Sequence, residues 1–314
     1  MDPVLSAALR SWDLRLEVIV ILAAAGIIYS LGWWRLRTRT AASRATGRGR
    51  NRWQAGAAWR PVIYIVGLLL LAIALMSPID VLSAQLFTMH MIQHLFLVMI
   101  IPPLLLLANP LPYWLWGLPK DARLAGGRLF SRKSRFRTML QKLTGPGFVW
   151  LAFVIVYWGW HDPNAYEWAL RSAFAHDLEH ISFFLVSMLF WWHIVGAGPK
   201  IHRPLSSFAR SGYAVSAIPV NMLAGIAFVF AASPIYTYYE AMPRLWGLSV
   251  MEDQRIAGLI MWVPGSMMFL IAALVIVARW LGAEEKKPPL PESAWATEEA
   301  LAAPGIGSNS GSNL

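Results

Sequence analysis

Apolar runs of about 20 residues recur along this chain, and they constrain its fold more than any other feature. Wound as a helix, such a run crosses the roughly 30 Å of hydrocarbon in a lipid bilayer. The composition agrees with this, because 57% of the 314 residues are hydrophobic and only 14% are charged. The sequence therefore predicts an all-α, polytopic membrane protein built as a helical bundle.

Seven apolar segments predict seven transmembrane helices. They cover residues 17–34, 61–76, 83–108, 148–160, 173–195, 212–231 and 256–280. This divides the chain into a short tail (1–16), a membrane domain (17–281) and a C-terminal tail (282–314). The C-terminal tail is rich in Pro, Ser, Gly and Glu, which predicts disorder.

The basic residues predict the orientation of the bundle. The chain has 27 Lys and Arg against 17 Asp and Glu, and most of the basic residues fall in connections between the apolar segments. Residues 35–60 alone contain eight arginines and no acid. Because basic loops stay on the cytoplasmic side, we expect the N-terminus outside and the C-terminus in the cytoplasm. Charge placed in loops also argues against nucleic acid as a partner and favours membrane lipids.

Histidines within apolar segments are the strongest candidates for chemistry. His90 and His94 lie four residues apart, so both imidazoles occupy one face of the third predicted helix. Polar groups at membrane depth are costly and usually functional. The predicted topology brings more of them to the same outer leaflet. The full candidate set is His90, His94, His161, His176, His180 and Asp253.

Each candidate also has a structural interpretation. His176 and His180 could face lipid headgroups, His161 could anchor a helix at the interface, and Asp253 could cap the seventh helix. Two acids beside the second histidine pair, Asp177 and Glu179, are read as solvated charges or as outer partners of the ligands. His193 and His202 are predicted on the inner side, in structural or interfacial roles.

The donor types favour copper. The chain has no cysteine, so a metal must be held by His, Met, carboxylate or backbone oxygen. Imidazole suits copper, zinc and iron, whereas thioether selects Cu(I). Met89, Met91 and Met251 lie near the candidate residues, which tilts the choice toward copper. Zinc, and haem held by two histidines, remain compatible with the spacing.

Prolines interrupt two of the predicted membrane helices. Pro102 and Pro103 follow His94 in the third segment, and Pro264 lies in the seventh. Proline removes a backbone donor and clashes with the preceding turn, so a kink is expected at both places.

Four separated motifs resemble one known family. They are MHMIQHLFLVMIIPPLLLL (89–107), WHDPNAYEWAL (160–170), HDLEHISFFLVSMLFWW (176–192) and YYEAMPRLWGLSVMEDQRIAGLIMWVPG (238–265). In this order they resemble the CtaG-type cytochrome c oxidase assembly factors linked to caa3-type oxidases. The resemblance covers roughly residues 61–280.

The resemblance implies a seven-span assembly factor of the bacterial plasma membrane rather than an enzyme. Its cargo would be copper, matured into the site beside the haem of the oxidase catalytic subunit. The six candidate residues match the polar positions of the family motifs. The implied partners are that catalytic subunit and a soluble copper donor on the outer side.

Two other classes remain open from the residues alone. A seven-span zinc hydrolase also uses an HxxxH pair, a further His and an Asp to activate water. A permanent accessory subunit of a respiratory complex would use the histidines to bind haem or to stabilise packing.

Overall fold

The computed structural model describes residues 10–45, 57–131 and 133–286, and every regular element among them is helical. The α-helices in chain order are α1 Leu16–Ala45, α2 Trp59–Met76, α3 Pro78–Ser83, α4 Phe87–Leu95, α5 Ile101–Leu107, α6 Pro110–Gly117, α7 Lys120–Leu129, α8 Arg135–Leu143, α9 Pro146–Trp160, α10 Pro163–Arg171, α11 Ala173–Val195, α12 Ser207–Val215, α13 Ile218–Phe230 and α14 Val250–Glu284. A π-helical turn, Phe96–Ile100, joins α4 to α5, and two 3₁₀ turns lie between α13 and α14.

Membrane-length helices confirm the predicted fold class. Among the described residues, six helical segments are long and apolar enough to cross a bilayer. These are Leu16–Thr40, Trp59–Met76, Phe87–Leu107, Ala173–Val195, Ser207–Phe230 and Val250–Glu284. The fourth predicted span, at residues 148–160, corresponds to α9, which meets α8 at a bend of 56°. The protein is therefore an all-helical, multi-pass membrane protein.

The connections are more helical than predicted. The connection between the second and third predicted helices folds into α3, and the connection between the third and fourth contains α6, α7 and α8. Proline at the first turns of α3 and α6 favours these helix starts, because it fixes φ where no amide donor is needed. The last helix continues to Glu284, beyond the predicted end of the membrane domain. Residues 1–9, 46–56 and 287–314, which include most of both predicted tails, lie outside the described residues.

The third span is the most buried of the six and forms the centre of the bundle. Its α4 half packs on α14, and its α5 half packs on α2 and α11. Because Pro102 has no amide hydrogen, the carbonyl of Val98 lacks its ordinary helical donor. The indole nitrogen of Trp191 donates to that carbonyl at 2.8 Å. Pro102 and Pro103 thus coincide with a π turn and a tertiary hydrogen bond. The other predicted interruption differs, because α14 continues as one helix through Pro264.

Two glycines allow α13 and α14 to cross in close contact. A Cβ atom built on Gly225 would lie 2.7 Å from the carbonyl oxygen of Gly258. The reverse contact, from a Cβ on Gly258 to the carbonyl oxygen of Gly225, would be 2.8 Å. Small residues at such crossings let helix backbones approach where lipid gives no hydrophobic drive to associate.

We expect Gly258→Ala to destabilise the protein, because the new methyl group meets a backbone oxygen that cannot move aside. Overpacking of this kind costs about 1–3 kcal/mol. Gly282→Ala in the same helix is the matched control, since no atom of the described part of the chain lies within 4 Å of its added Cβ. Thermal unfolding in detergent, followed by circular dichroism, should show a lower midpoint only for Gly258→Ala. Equal midpoints for the two variants would contradict this account of the crossing.

Candidate metal centre

Helix α4 places two imidazoles in the protein interior. His90 is 0% exposed and His94 is 6% exposed. Their Nε2 atoms lie 2.9 Å apart, as expected for residues one turn apart on a single face. At that distance at most one of the two Nε2 atoms carries the proton, so at least one offers a lone pair.

Helix α11 supplies three further groups from one face. His176, Glu179 and His180 are spaced i, i+3 and i+4, so they project from the same side of the helix. The Glu179 side chain is fully buried, and its two oxygens each lie 3.5 Å from an Nε2 atom, one of His90 and one of His94. The interpretation of Glu179 as a solvated charge is therefore wrong. The HxxEH spacing was the available signal, because it separates Glu179 from Asp177.

Four of these residues meet as a candidate coordination group. His90, His176, Glu179 and His180 each offer one ligand atom, and these atoms all lie within 4.8 Å of one another. Ligands of a tetrahedral ion with bonds of about 2.0–2.1 Å stand roughly 3.4 Å apart. Small side-chain rotations would bring the ligand atoms, now up to 4.8 Å apart, to this spacing. Three members of the group are buried, and His176 is half-buried at its edge.

Unpaired polar atoms support a cation at this place. Burying a donor or acceptor without a partner costs about 1–3 kcal/mol, so each such atom calls for an explanation. In this cluster the buried side-chain atoms with no hydrogen-bond partner among the described residues are Nδ1 of His90, Nδ1 of His94, Nε2 of His161, Nε2 of His180 and both carboxylate oxygens of Glu179. A bound metal ion would satisfy several of them together, so the donor set fits a metal.

His161 lies just past the end of α9 and is also buried, with 9% exposure. Its Nδ1 is 2.6 Å from the carbonyl oxygen of Tyr157, to which it donates. This bond fixes the proton on Nδ1 and leaves the Nε2 lone pair free, which is the usual arrangement of a metal-binding histidine. The ring centre is 6.4 Å from that of His94. Its burial argues against the alternative of an interfacial anchor.

Asp253 lies at the start of α14, but its carboxylate caps α4. Its two oxygens accept hydrogen bonds from the amides of Phe87 at 2.8 Å and Thr88 at 2.9 Å. Helix α14 has its own capping box, formed by Ser249 and Glu252. The alternative that Asp253 caps its own helix is therefore wrong. Asp253 lies outside the four-residue group and fixes the first turn of the helix that carries two of the histidines.

Tyrosines cover the centre, and the sequence analysis did not identify them. The ring centre of Tyr166 is 4.9 Å from that of His90, and its hydroxyl lies 2.9 Å from that of Tyr239. Tyr239 also donates to the carbonyl of Ser83, and Tyr236 donates to the carbonyl of His161. Burial raises the pKa of Tyr236 and Tyr239 well above the ordinary value, so both remain neutral hydrogen-bond donors.

The remaining predicted residues lie outside the four-residue group. Asp177 is paired with Arg15 at 2.8 Å and is partly exposed. His193 and His202 contact one residue, Thr144, through its carbonyl at 2.9 Å and its hydroxyl at 2.8 Å respectively. These contacts are structural, since they tie the ends of α8 and α11 together.

Comparison with known proteins identifies relatives along most of the chain. A family model described as "Cytochrome c oxidase caa3 assembly factor (Caa3_CtaG)" matches residues 27–283. An uncharacterized protein of Mycobacterium bovis is 27% identical over 269 residues, which is 83% of this chain and 38% of that protein. An uncharacterized protein of Mycobacterium leprae is 28% identical over 262 residues, or 81% of this chain and 37% of its own. The chain thus spans less than two-fifths of these relatives. No solved structure matches significantly.

We expect Asp253→Ala to loosen the first turn of α4, because the buried amides of Phe87 and Thr88 lose their acceptor. The cost should be about 1–3 kcal/mol for each unpaired group. Hydrogen–deuterium exchange should rise in the peptide that covers Phe87–Leu95. Glu252→Gln is the control, because an amide oxygen can still accept from Ser249. Unchanged exchange in Asp253→Ala would show that the cap does not hold this helix.

Proposed function

The chain belongs to the family of cytochrome c oxidase caa3 assembly factors, and from this premise we propose that it binds copper at the histidine–glutamate cluster and delivers it to the oxidase catalytic subunit. Copper is cargo here, held until a docked acceptor takes it. The proposal treats the protein as a non-catalytic factor of the bacterial plasma membrane.

One observation carries the proposal. Three imidazoles and a carboxylate from two helices bring ligand atoms within 4.8 Å of one another in the interior of a membrane protein. An unpaired carboxylate at membrane depth is expensive, and a cation beside it offsets that cost. Imidazole nitrogen is a good donor for copper in both of its common oxidation states.

The proposed ligand set revises the set predicted from the sequence. We assign His90, His176, Glu179 and His180 as ligands, with His94 beside them through its 3.5 Å contact to Glu179. Asp253 takes a positioning role, because both of its oxygens are used in capping α4. His161 lies outside the four-residue group, with its ring centre 6.4 Å from that of His94.

Release requires that an acceptor reach the ion. Of the four proposed ligands, only His176 is half-buried, so the metal would be most accessible along that edge. Arg15 and Asp177 lie beside it as a partly exposed ion pair. Transfer would proceed by stepwise ligand exchange, in which a donor of the oxidase subunit replaces His176 first.

The basic residues at one end of the bundle support an orientation for the cluster. Arg35 donates to the carbonyls of Trp116 and Gly117. The guanidinium groups of Arg39 and Arg123 both lie over the Trp116 ring. The 20 residues of α1 that separate Arg35 from Arg15 span about 30 Å, the thickness of the hydrocarbon. The positive-inside rule then supports a cytoplasmic basic end and a cluster that opens to the outer side.

We expect the purified protein to bind one Co²⁺ or Cu²⁺ ion at the cluster. Glu179→Gln/His180→Ala should weaken that binding by on the order of 100-fold or more, because loss of a mere hydrogen-bond partner of a ligand already costs about 10–100-fold. Co²⁺ absorption bands report the binding. The control is His202→Ala, which removes a histidine that contacts Thr144 and no cluster residue. If the wild type and both variants bind Co²⁺ with equal affinity, the cluster is not a metal site.

In cells, we expect oxidase assembled with Glu179→Gln/His180→Ala to keep its haem and lose copper. Metal analysis and haem spectra of the purified oxidase measure the two quantities separately. Full copper content would contradict delivery by this protein. Co-purification with mature oxidase at a fixed ratio would favour an accessory subunit. Preferential Zn²⁺ binding together with amide cleavage would favour a hydrolase.

A further inference from the structure

A small cavity adjoins the histidine–glutamate cluster at His94. It lies among α4, α9, α11, α13 and α14. It encloses about 30 Å³ and is large enough for one small ion or water molecule. Its lining includes three methionines and two histidines: Met91, Met99, Met261, His94 and His161. We refer to it as the methionine cavity.

The polar atoms of this lining are divided into two groups. Tyr157 and Asn221 are committed elsewhere, because the Tyr157 hydroxyl donates to the Asn221 oxygen at 2.8 Å and the Asn221 amide donates to the carbonyl of Met261. His94 and His161 are not, since Nδ1 of His94 and Nε2 of His161 are buried without a partner among the described residues. The donors that remain are imidazole nitrogen and thioether sulfur.

The charge of the lining restricts the kind of ion. Among the described residues no carboxylate lines the cavity, and all three methionines are at least nine-tenths buried. A divalent cation held only by neutral donors in an apolar site keeps a large uncompensated charge. A singly charged, soft cation has a smaller desolvation cost and prefers thioether and imidazole ligands.

We propose that the methionine cavity is a second metal site, selective for a soft monovalent cation such as Cu(I), and distinct from the histidine–glutamate cluster. His94 adjoins both, because its Nε2 faces Glu179 while the same residue lines the cavity. The protein would therefore bind metal at two adjacent places of different chemical character. This second site is independent of the proposed function, which concerns the cluster alone.

Ag⁺ tests this inference, because it is soft, monovalent and stable to air oxidation. The full-length protein in detergent is titrated with Ag⁺, and separately with Co²⁺ as a probe of the cluster. Met91→Leu/Met261→Leu keeps the side-chain volume and removes two sulfurs. We expect this variant to bind Ag⁺ at least tenfold more weakly than the wild type and to bind Co²⁺ unchanged. Circular dichroism checks that it is folded.

Two further variants make the result decisive. Met139→Leu/Met267→Leu changes two exposed methionines and should bind Ag⁺ like the wild type. Glu179→Gln/His180→Ala should lose Co²⁺ and retain Ag⁺. If removal of Met91 and Met261 leaves Ag⁺ affinity unchanged, the cavity is a packing void and the inference fails. If Glu179→Gln/His180→Ala binds Co²⁺ as tightly as the wild type, the proposed function fails, and the inference about the methionine cavity is unaffected.

Discussion

The hydrogen bonds from the backbone amides of Phe87 and Thr88 to the Asp253 carboxylate hold the centre together. They join the first turn of α4 to the first turn of α14, across more than 160 residues of sequence. A helix N-terminus buried among other helices has amides that water cannot reach. A carboxylate at that end accepts hydrogen bonds from these amides and interacts favourably with the helix dipole. The position of His90 and His94 along the bundle follows from this contact.

The membrane helices could be predicted because their signal is local. An apolar run reports its own length, and the predicted segment 173–195 has the same bounds as α11. The short helices between spans carry no such signal. Segments such as α7 and α8 mix basic and apolar residues, and their helical state depends on lying against the bundle or the bilayer surface.

The site was predictable in its histidines but not in its acids. Spacing of four residues places His90 with His94, and His176 with His180, whatever the tertiary fold. Whether an acid is buried depends on which helix faces it, so Glu179 and Asp177 look alike in sequence and differ in the structure. The role of Asp253 could not be predicted either. It caps α4, a helix more than 160 residues away in sequence, and no local sequence pattern indicates such a cap.

The π-helical turn at Phe96–Ile100 lets the third span serve two sets of neighbours. A turn of this kind amounts to one residue inserted into an α-helix, which rotates everything beyond it by about 100°. The polar face of α4 is thereby uncoupled from the apolar face of α5. Substitutions in one half need not be matched in the other, so the histidine face of α4 and the packing of α5 on α2 and α11 can evolve independently within a single span.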